Sequence, residues 1–109
     1  MILVIVQHFV KPGMVDTAEC RVSAMGKRMA PMPGFLFRHA LVSSSDANKL
    51  VTVTAWSSRE YYEGWLNRQR TDAIGEAAAP VGQSPYVRVE TEVLSERVPV
   101  VPGVASGGF

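Results

Sequence analysis

Phe35-Leu-Phe-Arg-His-Ala-Leu-Val42, the turn Ser43-Ser-Ser-Asp-Ala-Asn48, and Leu50-Val-Thr-Val-Thr-Ala-Trp56 together decide how this chain folds. The two outer runs are rich in β-branched and aromatic residues, which suit a pleated, half-buried strand. The six residues between them favour hydrogen bonds to their own backbone over a ladder, so the pair reads as a hairpin. Ser57-Ser-Arg-Glu60 follows with the spacing of a capping box, Ser57 as N-cap and Glu60 reaching back. The helix it opens carries Tyr61, Tyr62, Trp65, Leu66 and Gln69 on one face by i, i+3, i+4 spacing.

Working outward, Ile2 to Val10 is a nearly continuous apolar run ended by Lys11-Pro12-Gly13, the signature of a strand covered on both faces. Ile2, Val4, Val6 and His8 share one face, and Leu3, Ile5, Gln7 and Phe9 the other. A helix from about Met14 to Ala30 follows, with Val15, Ala18, Val22, Met25 and Met29 as its apolar stripe. Pro31 and Pro33 stop it. Cys20 falls off the stripe, as an inert surface cysteine. On the other side of the hairpin and its helix, residues 68–79 turn polar and then alanine-rich, Pro80 ends them, and residues 81–85 form a loop. Tyr86 to Leu94 alternates as a last strand, with Tyr86, Arg88, Glu90 and Glu92 on one face. Pro and Gly recur from Val98 onward, which makes residues 97–109 an extended tail on a domain of residues 1–96.

The order βαββαβ is the ferredoxin-like split arrangement, an α+β fold with an antiparallel four-stranded sheet and both helices on one face. The helices cover one face only, yet the first three strands are apolar on both. A second copy packed sheet to sheet would supply the missing cover, so a homodimer is expected.

Composition narrows the function. With 109 residues the chain makes one domain, and a net charge of +1 offers no electrostatic footprint for nucleic acid or an anionic membrane. A membrane span needs roughly 20 consecutive apolar residues, which no stretch provides. The single Cys20 rules out an intrachain disulfide and a cysteine-based zinc site, and fits a cytoplasmic protein. There is no phosphate-binding glycine loop, no His/Cys metal spacing and no G-x-S-x-G elbow, so no metal or cofactor is expected. Glu90 and Glu92 share a strand face, but Arg88 beside them marks a solvated surface. What remains is an aromatic set, Trp56, Tyr62 and Trp65, with two histidines, His8 and His39, the side chains that titrate near neutrality. Plain core packing explains Trp56 and Trp65 as readily as ligand binding does. Of Arg38 and His39, adjacent in one strand, only one can face the helices.

Met32-Pro-Gly-Phe35, the strand closing at Trp56, and Ser58-Arg-Glu-Tyr-Tyr-Glu-Gly-Trp65 resemble the antibiotic biosynthesis monooxygenase family over about residues 2–95. The resemblance implies a dimeric α+β barrel with a pocket in each subunit between sheet and helices. In the haem-degrading branch an Asn on the first strand, a Trp on the second helix and a later His act together. Here Trp65 matches the Trp, Val6 stands at the Asn place, and the His place falls near Gly75, with no histidine after His39. In the branch that oxidises polyketide anthrones to quinones without a cofactor, Trp56 and Tyr62 match the Trp and Tyr, and Thr52 occupies the Asn place. That branch fits better. It implies a monooxygenase acting on a small aromatic, anthrone- or quinol-like metabolite with dioxygen and no metal or flavin. Trp56 and Trp65 would stack on the substrate, Tyr62 and Thr52 would orient it, and His39 or His8 would move the proton. The rival reading is a non-catalytic small-molecule-binding dimer of the same fold, favoured by the lost Asn at both branches' positions.

Overall fold

The computed structural model describes residues 1–75 and 84–98, with side chains described for 1–71 and 84–98. The elements run β1 (Ile2–Val10), α1 (Val15–Met29), β2 (Phe35–Val42), β3 (Lys49–Trp56), α2 (Arg59–Gly75) and β4 (Tyr86–Ser95). They form one antiparallel sheet in the order β2-β3-β1-β4, which is the expected βαββαβ topology. β1, the strand richest in apolar residues, and β3 take the centre, where both faces have neighbours. The expected tail lies outside the described residues beyond Val98, as do the helix continuation past Gly75 and the Pro80 stop.

The helices cover one face. The alternate residues Ile2 and Val4 of β1 and Trp56 of β3 pack against Met29 of α1 and Trp65 of α2. Further along the sheet, Val10 and Leu50 bury against Ala18 of α1. Burying one large side chain of this kind contributes about 1.5–3 kcal/mol, so these contacts hold the layers together. The α1 stripe is as its spacing predicts, with Ala18, Val22 and Met29 buried and Cys20 exposed on the far side. Among the described residues, no helix is long and apolar enough to cross a membrane.

The turn between β2 and β3 closes on local bonds. The Asn48 N–H donates to Asp46 Oδ1 at 2.9 Å and the Ser45 N–H to Ser43 Oγ at 3.3 Å. The helix start differs from the expected cap: α2 begins at Arg59, and the Ser58 carbonyl accepts from Tyr62 N–H. Ser58, one residue later than Ser57, is therefore the junction. Tyr61 does not join the buried face of α2 and stays 46% exposed, its ring laid over Gly34. Gly34 has φ +81°, and a Cβ there would overlap the Tyr61 ring. Glycine is required on both counts.

Two bulges reset which side chains face the helices. The β2–β3 register shifts between Phe35 and Phe37, so Phe35 opposite Trp56 points to the helix side and Phe37 opposite Ala55 points away. On β4 the register shifts so that Tyr86 lies opposite Val10, and Tyr86 packs on the Val10–Ala18–Leu50 cluster. Tyr86 thus does not share a face with Arg88, Glu90 and Glu92. The face away from the helices carries half-buried Leu3, Ile5, Phe9, Val51 and Val53, and exposed Phe37, Leu41 and Leu94. The Arg88 guanidinium sits 3.8 Å over the Phe9 ring and pairs with Glu90 at 3.8 Å, a solvated arrangement.

Candidate functional site

Three of the aromatic candidates meet in one cluster. Trp56 and Trp65 stack with ring centroids 6.4 Å apart, Tyr62 tilts against Trp56 at the same distance, and Phe35 meets Trp56 edge-on at 5.8 Å. Trp56 and Trp65 are 0% and 2% exposed, so their faces are spent on the protein's own side chains. The cluster is a wall rather than an opening. Burial raises the Tyr62 pKa, against the opposing charge of Arg59, so its hydroxyl is a neutral donor at physiological pH.

A second cluster lies further along the same sheet face. Thr52 is fully buried on β3, and its Oγ1 lies 3.4 Å from His8 Nε2 on β1. The His8 ring also packs on Tyr86 at 5.1 Å, while its Nδ1 is buried without a hydrogen-bond partner. Burial, helped by the positive charge of Arg38, lowers the His8 pKa from its ordinary 6.5. The ring is therefore neutral at pH 7 and able to accept a proton. Tyr86 is pushed the other way by burial, only partly offset by Arg21 and Arg38. Thr52 thus goes with His8, whose ring meets Tyr86 and feels the charge of Arg38.

His39 is elsewhere. Its β3 partner is Val53, on the face away from the helices, and its ring lies beside Phe37 at 5.3 Å. Of the neighbours Arg38 and His39, it is Arg38 that faces α1. The sheet thus separates the two histidines.

Between α1 and the β2–β3 hairpin runs a groove of about 630 Å³, a volume suited to a small-molecule ligand. Its floor includes Arg38, Ala40, Val42 and Leu50, and its α1 wall includes Val22 and Ser23. Phe35, which lines the groove, is also the ring that abuts Trp56, so the aromatic wall stands directly behind it. Ala40 pairs with Thr52, and Leu50 with His8, so the groove floor and the His8–Thr52 pair are adjoining rows of one sheet face. Phe35, Arg38 and Tyr86 escaped the sequence reading. Arg38 alone left a trace: a cation alternating with Ala40 and Val42 on a face that should meet a helix is an exception to how charges distribute.

With this geometry, the comparisons with known proteins are consistent. The antibiotic biosynthesis monooxygenase family model matches residues 1–77, and the chain belongs to that family. The haem degrader MhuD of Mycobacterium tuberculosis is 21% identical and superposes with a TM-score of 0.71, over 93% of this chain and 100% of its own. SnoaB, a cofactor-independent oxygenase of Streptomyces nogalater, is 17% identical with a TM-score of 0.68, over 93% and 97%. A conserved protein of Methanosarcina mazei is 11% identical with a TM-score of 0.69, over 88% and 92%. At these identities the likeness is one of fold. No curated protein shows significant sequence similarity to the chain.

Proposed function

We propose that this chain is a cytoplasmic, homodimeric, cofactor-independent monooxygenase that oxidises a small aromatic, anthrone- or quinol-like metabolite with dioxygen. The observation that carries the reading is His8, half-buried and neutral, held by Thr52 beside a groove with an aromatic wall. Family membership and the fold shared with SnoaB support it. An anthrone needs only to lose a proton to become an electron-rich anion that reacts with dioxygen directly. His8 takes that proton. One oxygen atom becomes the new carbonyl and the other leaves as water, so the methylene is oxidised and dioxygen reduced without a metal or flavin.

The residues divide the work. The substrate lies over Ala40 and Leu50, next to His8, while Thr52 holds the His8 ring and Phe35, backed by Trp56, Tyr62 and Trp65, closes the far end of the groove. His39 faces the partner subunit and moves no proton. The exposed apolar side chains of that face, Phe37 and Leu41, are what the second copy covers.

The test is oxygen uptake by purified, metal-free protein with a panel of anthrones and hydroquinones. Uptake above autoxidation that is lost in His8→Ala and retained in His39→Ala is the expected result; loss in neither variant removes His8 from the mechanism. The second reading, a non-catalytic binding dimer, is favoured by the closed packing of Trp56 and Trp65 and by Val6 and Thr52 at the two Asn places. Saturable ligand binding with no uptake would establish it. The haem-degrading reading is disfavoured because no histidine follows His39 in the sequence. A Soret shift on adding haemin, lost in a histidine variant, would revive it.

A further inference from the structure

Among the described residues, Arg38 is a cation without a carboxylate partner. Its Nη1 donates to the thioether sulfur of Met29 at 3.1 Å. A guanidinium presents five donors in a planar fork matched to carboxylate geometry, and a thioether is a weak acceptor. The C-terminal end of α1, roughly half a negative charge, explains why the cation is tolerated there. It gives those N–H groups no oxygen in this structure. The side chain lies across Gly26, where a Cβ would be 3.6 Å from Arg38 Cδ, and so reaches the groove beside Lys27. Glu19, the one carboxylate among the described lining residues, is eight residues before Lys27 on α1, about 12 Å away along the helix. The groove therefore has a cationic end, an apolar middle and an acidic far end.

We propose that this groove selects an acidic aromatic ligand, binding its carboxylate or phenolate at Arg38 and Lys27 and its ring system over Ala40, Val42 and Leu50. The inference rests on the oxygenase reading only in treating that ligand as the substrate. Within that reading it names the substrate's charge: the molecule arrives with an acidic group besides the carbon to be oxidised.

The test is calorimetric titration with anthraquinone-2-carboxylate and its neutral carboxamide. Both are already oxidised, so binding is measured without turnover. Wild-type protein should bind the carboxylate about tenfold to a hundredfold more tightly, the usual range for a charge-assisted hydrogen bond. Arg38→Gln should abolish the preference while far-UV circular dichroism stays unchanged. Arg38→Lys, which keeps the charge but loses the planar fork, should retain part of it and serves as the readout if the glutamine variant does not fold. Equal affinity for the two probes, binding of neither, or a preference that survives unchanged in either Arg38 variant would overturn the proposal. Oxygen uptake that fails while the preference holds would instead remove the oxygenase reading and leave the groove's selectivity standing.

Discussion

His8 Nε2 and Thr52 Oγ1 lie 3.4 Å apart as diagonal neighbours on the central β1–β3 pair, His8 opposite Leu50 and Thr52 opposite Val6. Diagonal cross-strand residues on one sheet face are within reach of long side chains, and this one bond orients the imidazole. Loss of a positioned general base typically lowers turnover by 10²–10⁴-fold. His8→Gln should therefore lower oxygen uptake by at least about a hundredfold, and Thr52→Val by less, since the base remains but its ring is freed. Because burial depresses the His8 pKa, the acidic limb of the rate profile should lie below pH 6.5. A limb above that value would point to another base.

The same shift makes a stability prediction. Folded His8 takes up a proton less readily than unfolded His8, so between its folded pKa and 6.5 the unfolded chain binds more protons. Stability is fully present above 6.5 and declines as pH falls through the folded pKa. Arg38, Tyr86 and Thr52 surround the ring and none offers a negative charge near neutrality to reverse the sign. Urea midpoints of wild type should fall from pH 7 to pH 5, and the fall should be smaller in His8→Gln.

Gly34→Ala should destabilise the chain by about 1–3 kcal/mol, because the residue holds a left-handed φ against an aromatic ring. Tyr61→Ala in the same chain should recover the steric part and leave the backbone part. Additive losses in a double-mutant denaturation cycle would mean that the ring does not press on that position.

The face away from the helices exposes Phe37 and Leu41, at 38% and 52%. In the homodimer reading a charge there is driven out of the interface. The double variant Phe37→Glu, Leu41→Glu should sediment as a monomer where wild type sediments as a dimer, with secondary structure retained. An unchanged sedimentation coefficient would put the interface elsewhere.

Trp65→Ala should cost about 3–5 kcal/mol of stability, as for other buried tryptophans. Trp65→Phe should leave the carboxylate preference of the groove unchanged, since the indole stands behind Phe35. A lost preference in that variant would place Trp65 against the ligand.

The element order, the covered character of β1, the α1 stripe and the exposed Cys20 were all legible in the sequence, because they follow from patterns of hydrophobicity that each segment carries within itself. So was the family resemblance, through Trp56, Tyr62 and Trp65. The site was not. Alternation along β2 groups Phe35 with Phe37 and His39, and alternation along β4 groups Tyr86 with Arg88. A single extra residue in each strand, within the register shifts near Leu36 and Val87, moves Phe35 and Tyr86 to the helix side. A bulge depends on pairing with the neighbouring strand, and one step of register exchanges the faces of everything beyond it. Likewise the chain alone could say that Arg38 and His39 face opposite ways, but not which of them meets α1. That was decided when the sheet closed against the helices, and it placed in the groove a guanidinium with no carboxylate partner among the described residues and left His8 as the histidine beside it.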